Sequence, residues 1–344
     1  MHNNYKVAVL GSTGYVGLEL VKILSNHPFI NLNFLGSENF SEKNIQILDS
    51  SIKNLKIPKI SANSNFDPKK SDIVFLALPH GISHKYVKKF FNKIKIIDLS
   101  ADFRLDSINT YEDNYNKDHT CPELLNSFIY GLPEINFSKI NKCSYIAIPG
   151  CYPTSILLPI IPLLKNNLIN TNNIIIDSKS GYSGAGKKFN ISNIKNNNDL
   201  NFYNYNTNTH RHICEIKQEL YKHSDNKLIN FSFNPHILPI FRGMMSTIYC
   251  DLKKGIKIKD IKNTYDEFSK KLPFIKFLNK KEKADFFSVQ NNNNCLIKLY
   301  KHQNDSHIII VSLIDNLLKG AAGQAVQCFN IMMNLDEKIG LEYL

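Results

Sequence analysis

Seven residues, Gly11-Ser12-Thr13-Gly14-Tyr15-Val16-Gly17, constrain this chain more than any others. They follow a short apolar run, Lys6–Leu10. They precede a stretch in which Val16, Leu20, Ile23 and Leu24 fall at i, i+4, i+7 and i+8, one face of a helix that Pro28 bounds. Between a strand and a helix each glycine has a task. Gly11 permits the tight turn, Gly14 lets backbone approach a pyrophosphate, and Gly17 allows the helix to pack closely, with N–H groups at its start for phosphate oxygens. The spacing is G-x-x-G-x-x-G rather than G-x-G-x-x-G, and the flanking strand and helix are the context the motif requires. The expectation is a dinucleotide-binding turn.

The following segments extend this pattern. Asn31–Leu35, Asp72–Leu78 and Lys95–Leu99 read as buried strands, with a helix over Ser83–Phe91. Alternating strands and helices predict an α/β, Rossmann-type, doubly wound parallel sheet over residues 1–150. After Tyr145–Ile148 consecutive strands dominate: Ile174–Ser178, Ile229–Phe233, Met245–Asp251, Cys295–Tyr300 and His307–Leu313. Helices are expected at Ile213–Tyr221 and Ile258–Lys271. Residues 151–315 are therefore expected to form an α+β domain with a mixed sheet. The small-residue-rich helix Lys319–Met333, within 316–344, is expected to return to the first domain. Asn-rich stretches Ile191–Thr209 and Gln290–Asn294 read as loops.

Composition excludes several classes. Lys+Arg exceeds Asp+Glu by 12, but the excess is lysine spread among abundant Asn and Ile, with no basic stripe, so no nucleic-acid partner is expected. The most apolar run, Ser155–Leu164, is too short to span a bilayer and contains Pro159 and Pro162, so no membrane partner is expected. The polar start, Met1–Tyr5, does not read as a signal peptide. Seven scattered cysteines without a C-x-x-C pair predict neither disulfides nor a metal site, and fit a reducing, cytoplasmic location.

Among those cysteines Cys151 stands apart. In Ile148-Pro149-Gly150-Cys151-Tyr152-Pro153-Thr154 a strand ends, a turn follows, and the thiol sits at the mouth of an apolar helix. A helix N-terminus favours the thiolate, and its N–H groups suit an oxyanion. A base is offered by His210-Arg211-His212-Ile213-Cys214-Glu215, where one helical turn would let Glu215 orient His212. The loop Ser180-Gly181-Tyr182-Ser183-Gly184-Ala185-Gly186-Lys187 can present N–H groups to an anion. Arg104, in Ser100-Ala101-Asp102-Phe103-Arg104, and Arg242 are rare arginines in a lysine-rich chain, suited to bidentate carboxylate or phosphate recognition. At the end of the second strand, Ser37 and Lys43 favour a 2′-phosphate while Glu38 opposes one, leaving NAD and NADP open. Pro79-His80-Gly81, after a strand end, is a short loop able to close over the cofactor.

Taken in order, these motifs resemble the N-acetyl-γ-glutamyl-phosphate reductases, relatives of aspartate-semialdehyde dehydrogenase in arginine biosynthesis. The resemblance is carried by Gly11–Gly17, Leu99–Arg104, Tyr130–Glu134, Pro149–Thr154, Ser180–Lys187, His210–Glu215, Pro235–Pro239 with Arg242-Gly243, and Asp315–Gln324. It implies Cys151 as nucleophile, a histidine of His210 and His212 as acid/base, and NADPH/NADP⁺ as cofactor. It implies reduction of N-acetylglutamyl 5-phosphate to the semialdehyde through a Cys151 thioester, in a cytoplasmic homo-oligomer. Cofactor-binding candidates are then Gly11, Ser12, Thr13, Gly14, Tyr15, Val16, Gly17, Ser37, Pro79, His80, Ser183, Gly184 and Asn316. Substrate-binding candidates are Ser100, Arg104, Ser180, Gly181, Lys187 and Arg242. Ser155, where the family usually has Ala or Gly, and Glu38 depart from the pattern. An aspartate-semialdehyde dehydrogenase or a lysine-pathway paralogue would share this chemistry. A Cys-His acyl hydrolase would need no glycine turn, and a basic Rossmann-type binding protein no catalytic thiol.

Overall fold

The apolar runs of the first 150 residues become strands with almost no exposed side chains. The computed structural model describes residues 4–342 apart from 55, 197, 198, 226 and 305, so Met1–Asn3 of the polar start lie outside the described residues. The chain divides into two compact units, 1–149 with 321–344 and 150–320.

In the first unit the order is β1 (Tyr5–Leu10), α1 (Tyr15–Ser25), β2 (Ile30–Gly36), β3 (Ile60–Ser61), β4 (Ile73–Leu76), α2 (Ser83–Phe90), β5 (Lys95–Asp98), α3 (Ile108–Tyr115), β6 (Ile129–Tyr130), α4 (Pro133–Ile140) and β7 (Tyr145–Ala147). These strands form one parallel sheet in the order β3-β2-β1-β4-β5-β7-β6. Val7 to Leu10 and Ile73 to Leu76 are wholly buried, the signature of a parallel sheet covered on both faces. Strand order reverses between β1 and β4, which opens a crevice at their carboxyl ends.

The second unit begins with α5 (Cys151–Lys165), then β8 (Ile174–Gly181), β9 (Lys195–Asn196), β10 (Asp199–Leu200), β11 (Tyr203–Asn204), α6 (His212–Lys222), β12 (Phe231–Leu238), β13 (Met244–Asp251), α7 (Ile258–Lys271), β14 (Ile275–Phe277), β15 (Cys295–Lys301) and β16 (His307–Ile314). Its large sheet is mixed, in the order β11-β12-β8-β13-β16-β15-β14: β8 pairs parallel with β12 and antiparallel with β13. The Asn-rich stretch expected as loop carries the antiparallel pair β9 and β10 and also β11, pairings too short to leave a periodic signal.

The final helix, α8 (Ala322–Met332), packs on α1 and α4 in the first unit, and Phe329 meets the rings of Tyr5, His27 and Phe75. The return begins at 321 rather than 316, because Asp315 and Asn316 are tied to Arg242 and Gly243 of the second unit. No helix of the described residues is long and apolar enough to cross a membrane.

Candidate active site

The glycine turn is built as its spacing requires. Gly11 has φ +78°, and a Cβ there would lie 2.2 Å from the Ala77 carbonyl oxygen. A Cβ on Gly17 would lie 2.2 Å from Gly11 O, so helix and turn close on each other. Gly14 differs: its Cβ would meet nothing nearer than 3.7 Å, so the protein itself leaves that side open. Gly14 is the N-cap of α1 without a side-chain cap, and Tyr15, Val16 and Gly17 form the first turn, whose N–H groups lack intrahelical partners. Ser12 is buried, donating to Gly36 O from both N and Oγ. Thr13 Oγ1 and Ser37 Oγ lie 2.7 Å apart. This open helix start fits a pyrophosphate, and the hydroxyl pair lies at the end of β2, where a ribose would be read. Glu38 is drawn aside, its Oε1 accepting from Asn63 Nδ2 at 2.7 Å while Asn63 Oδ1 accepts from Gly11 N. Across the crevice mouth, His80 Nδ1 accepts from Ala101 N at 2.9 Å, and Pro79 O accepts from Ile82 N.

Two substrate candidates of this unit are already engaged. Ser100 is buried, donating Oγ to Asp98 Oδ2 at 2.7 Å and accepting from Asp102 N. Arg104 donates Nε to Ile148 O at 2.7 Å and Nη2 to Leu99 O at 2.9 Å, bracing the chain just ahead of Pro149.

In the second unit Cys151 is the first residue of α5, behind Gly150 as N-cap. The helix starts four residues before the apolar run and continues through Pro153, Pro159 and Pro162, with residues 152–164 all buried. Burial on every side outweighs the cost of proline in a helix. The imidazole of His212 packs on Gly150, its Nε2 2.6 Å from where a Cβ would stand. Glu215 is fully buried, and its Oε1 accepts from Gly150 N at 2.9 Å, so the carboxylate grips the turn that carries the thiol. His210 lies against His212, its Nδ1 accepting from His212 N at 3.1 Å and its ring packed among Tyr152, Tyr205 and Phe233. Burial, and then the charge of Arg211, hold its pKa down to about 4, so it is neutral near pH 7. Gly320 closes the other side, where a Cβ would lie 2.8 Å from Cys151 Cβ and 2.6 Å from Asn316 O. Along the sequence Gly320 stands out only as a small residue in a helical stretch.

Asn316 joins two loops, accepting from Gly243 N at 2.8 Å and donating to Ser183 Oγ at 2.9 Å. Gly184 and Ser180 adjoin it: a Gly184 Cβ would lie 3.1 Å from Ser180 Oγ, itself bonded to Gly181 O. Gly181 passes so close to Phe241 that a Cβ would clash with its carbonyl at 2.7 Å. Lys187 is exposed at the end of this loop. Arg242 forks onto buried Asp315, with Nε 2.7 Å from Oδ2, and donates Nη1 to Asn291. Its guanidinium thus fixes the 242–243 and 315–316 segments together.

A glycine-turn parallel-sheet unit followed by a mixed-sheet unit opening on a cysteine defines a class of nicotinamide-dependent dehydrogenases. Residues 6–143 match the family model described as Semialdehyde dehydrogenase, NAD binding domain, and residues 151–316 match Semialdehyde dehydrogenase, dimerisation domain. N-acetyl-gamma-glutamyl-phosphate reductase of Ehrlichia canis is 42% identical over 99% of this chain and 98% of its own length. That of Clostridium beijerinckii is 41% identical over 98% of each. The chain belongs to the N-acetyl-gamma-glutamyl-phosphate reductase family within the semialdehyde dehydrogenases. Among solved structures, aspartate semialdehyde dehydrogenase II from Vibrio cholerae shares the fold with a TM-score of 0.76 at 18% identity, covering 96% of this chain and 99% of that one. Aspartate semialdehyde dehydrogenase with NADP from Candida albicans has a TM-score of 0.65 at 15% identity, over 96% and 98%. That likeness is one of fold, so the aspartate-directed alternative gains nothing from it.

Proposed function

We propose that this reductase converts N-acetyl-L-glutamyl 5-phosphate to the 5-semialdehyde and phosphate through a thioester on Cys151, with NADPH as cofactor, in arginine biosynthesis. The observation that carries the reading is Cys151 at the first position of α5, with the His212 ring on the adjoining Gly150. The thiolate attacks the acyl carbon, and the C–O bond to phosphate breaks with its electron pair. Phosphate leaves and takes a proton from water. NADPH, when bound, supplies the hydride that reduces the thioester carbonyl. His212 holds a proton at Nε2, gives it to the resulting oxyanion, and recovers it as the C–S bond breaks and the aldehyde carbonyl forms. Glu215 and His210 act as positioning residues, one through Gly150 N and the other through His212 N. Gly11 to Gly17, the Thr13–Ser37 pair and the wall at Pro79 and His80 are read as holding the cofactor. Ser180, Ser183, Gly184 and Asn316 are read as shaping the anion loop.

The second unit is read as the site of self-association, in keeping with its match to a semialdehyde dehydrogenase dimerisation domain. Ile175, Tyr249, Ile309 and Tyr300 stand in one register row across β8, β13, β16 and β15, while Ile176, Ile248 and Ile310, alternating with them, are buried. The seven cysteines, scattered without a C-x-x-C pair, accord with a cytoplasmic location. Mass spectrometry of enzyme treated with the acyl phosphate, NADPH withheld, tests the central step. An acyl adduct on Cys151 is expected; an adduct on Cys143 or Cys214 would reassign the nucleophile.

A further inference from the structure

One wall of the β1/β4 crevice carries the glycine motif; the other is the turn 79–84, which begins with Pro79-His80-Gly81. The two walls touch, since Gly11 has room for no Cβ against the Ala77 carbonyl. The second wall is held from below by one buried carboxylate. Asp102 Oδ1 accepts from Gly81 N at 2.8 Å and from Tyr111 Oη at 2.9 Å, and Oδ2 accepts from His84 N at 3.2 Å. His84 spans the same turn: its Nε2 donates to Gly81 O at 2.7 Å and its Nδ1 accepts from Thr120 N at 3.0 Å. Asp102 is itself seated at both backbone groups, donating N–H to Ser100 Oγ and accepting at its carbonyl from His119 Nε2 at 2.8 Å. Burying a charge is costly unless hydrogen bonds replace the lost water, and three donors converge here. The neighbouring carboxyl, Asp98, is held well above the usual carboxylate range by burial and then by the charge of Asp102. This set of bonds supports reading the turn as a preformed wall in place of a closing loop.

We propose that Asp102 is a positioning residue for the cofactor, holding the turn 79–84 in its binding geometry through Gly81 and His84 before the cofactor arrives. The proposal rests on the reading that the crevice takes NADPH. Binding then needs no ordering of this wall, and affinity scales with the fraction of molecules in which it is formed. In Asp102→Asn the amide's N–H groups face at least one of three donors, so part of the turn is released. If the wall is formed about a tenth of the time in that variant, the dissociation constant for NADPH rises about tenfold.

The test combines NADPH fluorescence titration with amide hydrogen exchange on the full chain. Asp102→Asn is expected to show faster exchange at Gly81 and His84 and the weakened affinity, with Cys151 alkylation by iodoacetamide unchanged. Tyr111→Phe removes one donor but leaves both turn N–H groups bonded; it should lower the melting temperature while keeping NADPH affinity within about twofold. A merely structural role for Asp102 predicts instead that affinity follows melting temperature in both variants, which would overturn the proposal. Should Asp102→Asn not fold, the wild-type protein still decides: without cofactor the Gly81 and His84 amides must be protected, and free exchange there refutes a preformed wall. Gly14→Val separates the two readings. If it leaves NADPH affinity intact, the cofactor assignment fails; if it abolishes binding while Asp102→Asn does not weaken it, only the positioning role fails.

Discussion

Cys151 and Ser155 lie one turn apart on α5 and differ in what their side chains meet. Ser155, the departure from the family pattern, donates to Tyr152 O and meets Ser246 Oγ at 2.7 Å, and Ser246 in turn meets Ser178 Oγ at 2.7 Å. A hydroxyl is tolerated there because Ser246 and Ser178 complete a buried chain. Ser155→Ala should cost about 1 kcal/mol, read as a lower denaturant midpoint, and leave turnover unchanged. Cys151→Ser should lower kcat by about a thousandfold or more with NADPH affinity kept, since serine is a far weaker nucleophile at neutral pH. Near-normal turnover in that variant would remove Cys151 from the mechanism. Gly320→Ala belongs with it: the added Cβ meets a backbone oxygen that cannot yield, so Cys151 must shift. A fall in kcat at unchanged NADPH affinity is expected, and wild-type kcat would show that the contact is slack. The thiol was legible because Pro-Gly-Cys-Tyr-Pro-Thr is local; Gly320, 169 residues further on, is a neighbour only in three dimensions.

Two residues ahead of α6, His210 packs against His212, which opens the helix. His210 is enclosed by Tyr152, Tyr205, Phe233 and His212, and the charge of Arg211 also opposes its protonation. Its pKa is depressed in the fold relative to the unfolded value of about 6.5. The stability it confers is therefore present above about pH 6.5 and is lost as pH falls toward about 4, because the unfolded chain takes up the proton first. Relative to His210→Asn, the wild type should lose melting temperature over that interval. An NMR titration placing the His210 midpoint near 6.5 would contradict the burial argument. Elements with apolar periodicity were read within a residue or two, as at β1, β5, α2 and α7. What escaped were α3 and α4, eight residues each, α4 interrupted by non-helical Asn136. The start of α5 at Cys151 was legible from the Pro-Gly turn ahead of it, although only surrounding burial sustains a helix through Pro153, Pro159 and Pro162. Arg104 and Arg242 were visible as rare arginines, yet their partners, Ile148 O, Leu99 O and Asp315, could not be read from spacing.

For the molecule as a whole, the proposed self-association has a single-residue test. The row Ile175–Tyr249–Ile309–Tyr300 offers apolar surface on a sheet whose alternate residues form the core. Tyr249→Lys, placing a charge at the middle of that row, should shift the protein toward monomer by light scattering without lowering the helix content. An unchanged mass would move the interface elsewhere. The order of the motifs along the chain made the division into two kinds of sheet legible, but the discontinuity of the first unit was legible only in outline. That discontinuity bears on how the protein is born. During synthesis residues 1–149 emerge before the second unit, yet the helix that covers Tyr5, His27 and Phe75 is made only after that unit. The second unit is continuous and free to fold while the first still waits with an aromatic face bare, a state prone to aggregation. Stalled nascent chains cut at residue 320 should bind hydrophobic dyes and chaperones at that face, and release them once α8 clears the ribosome.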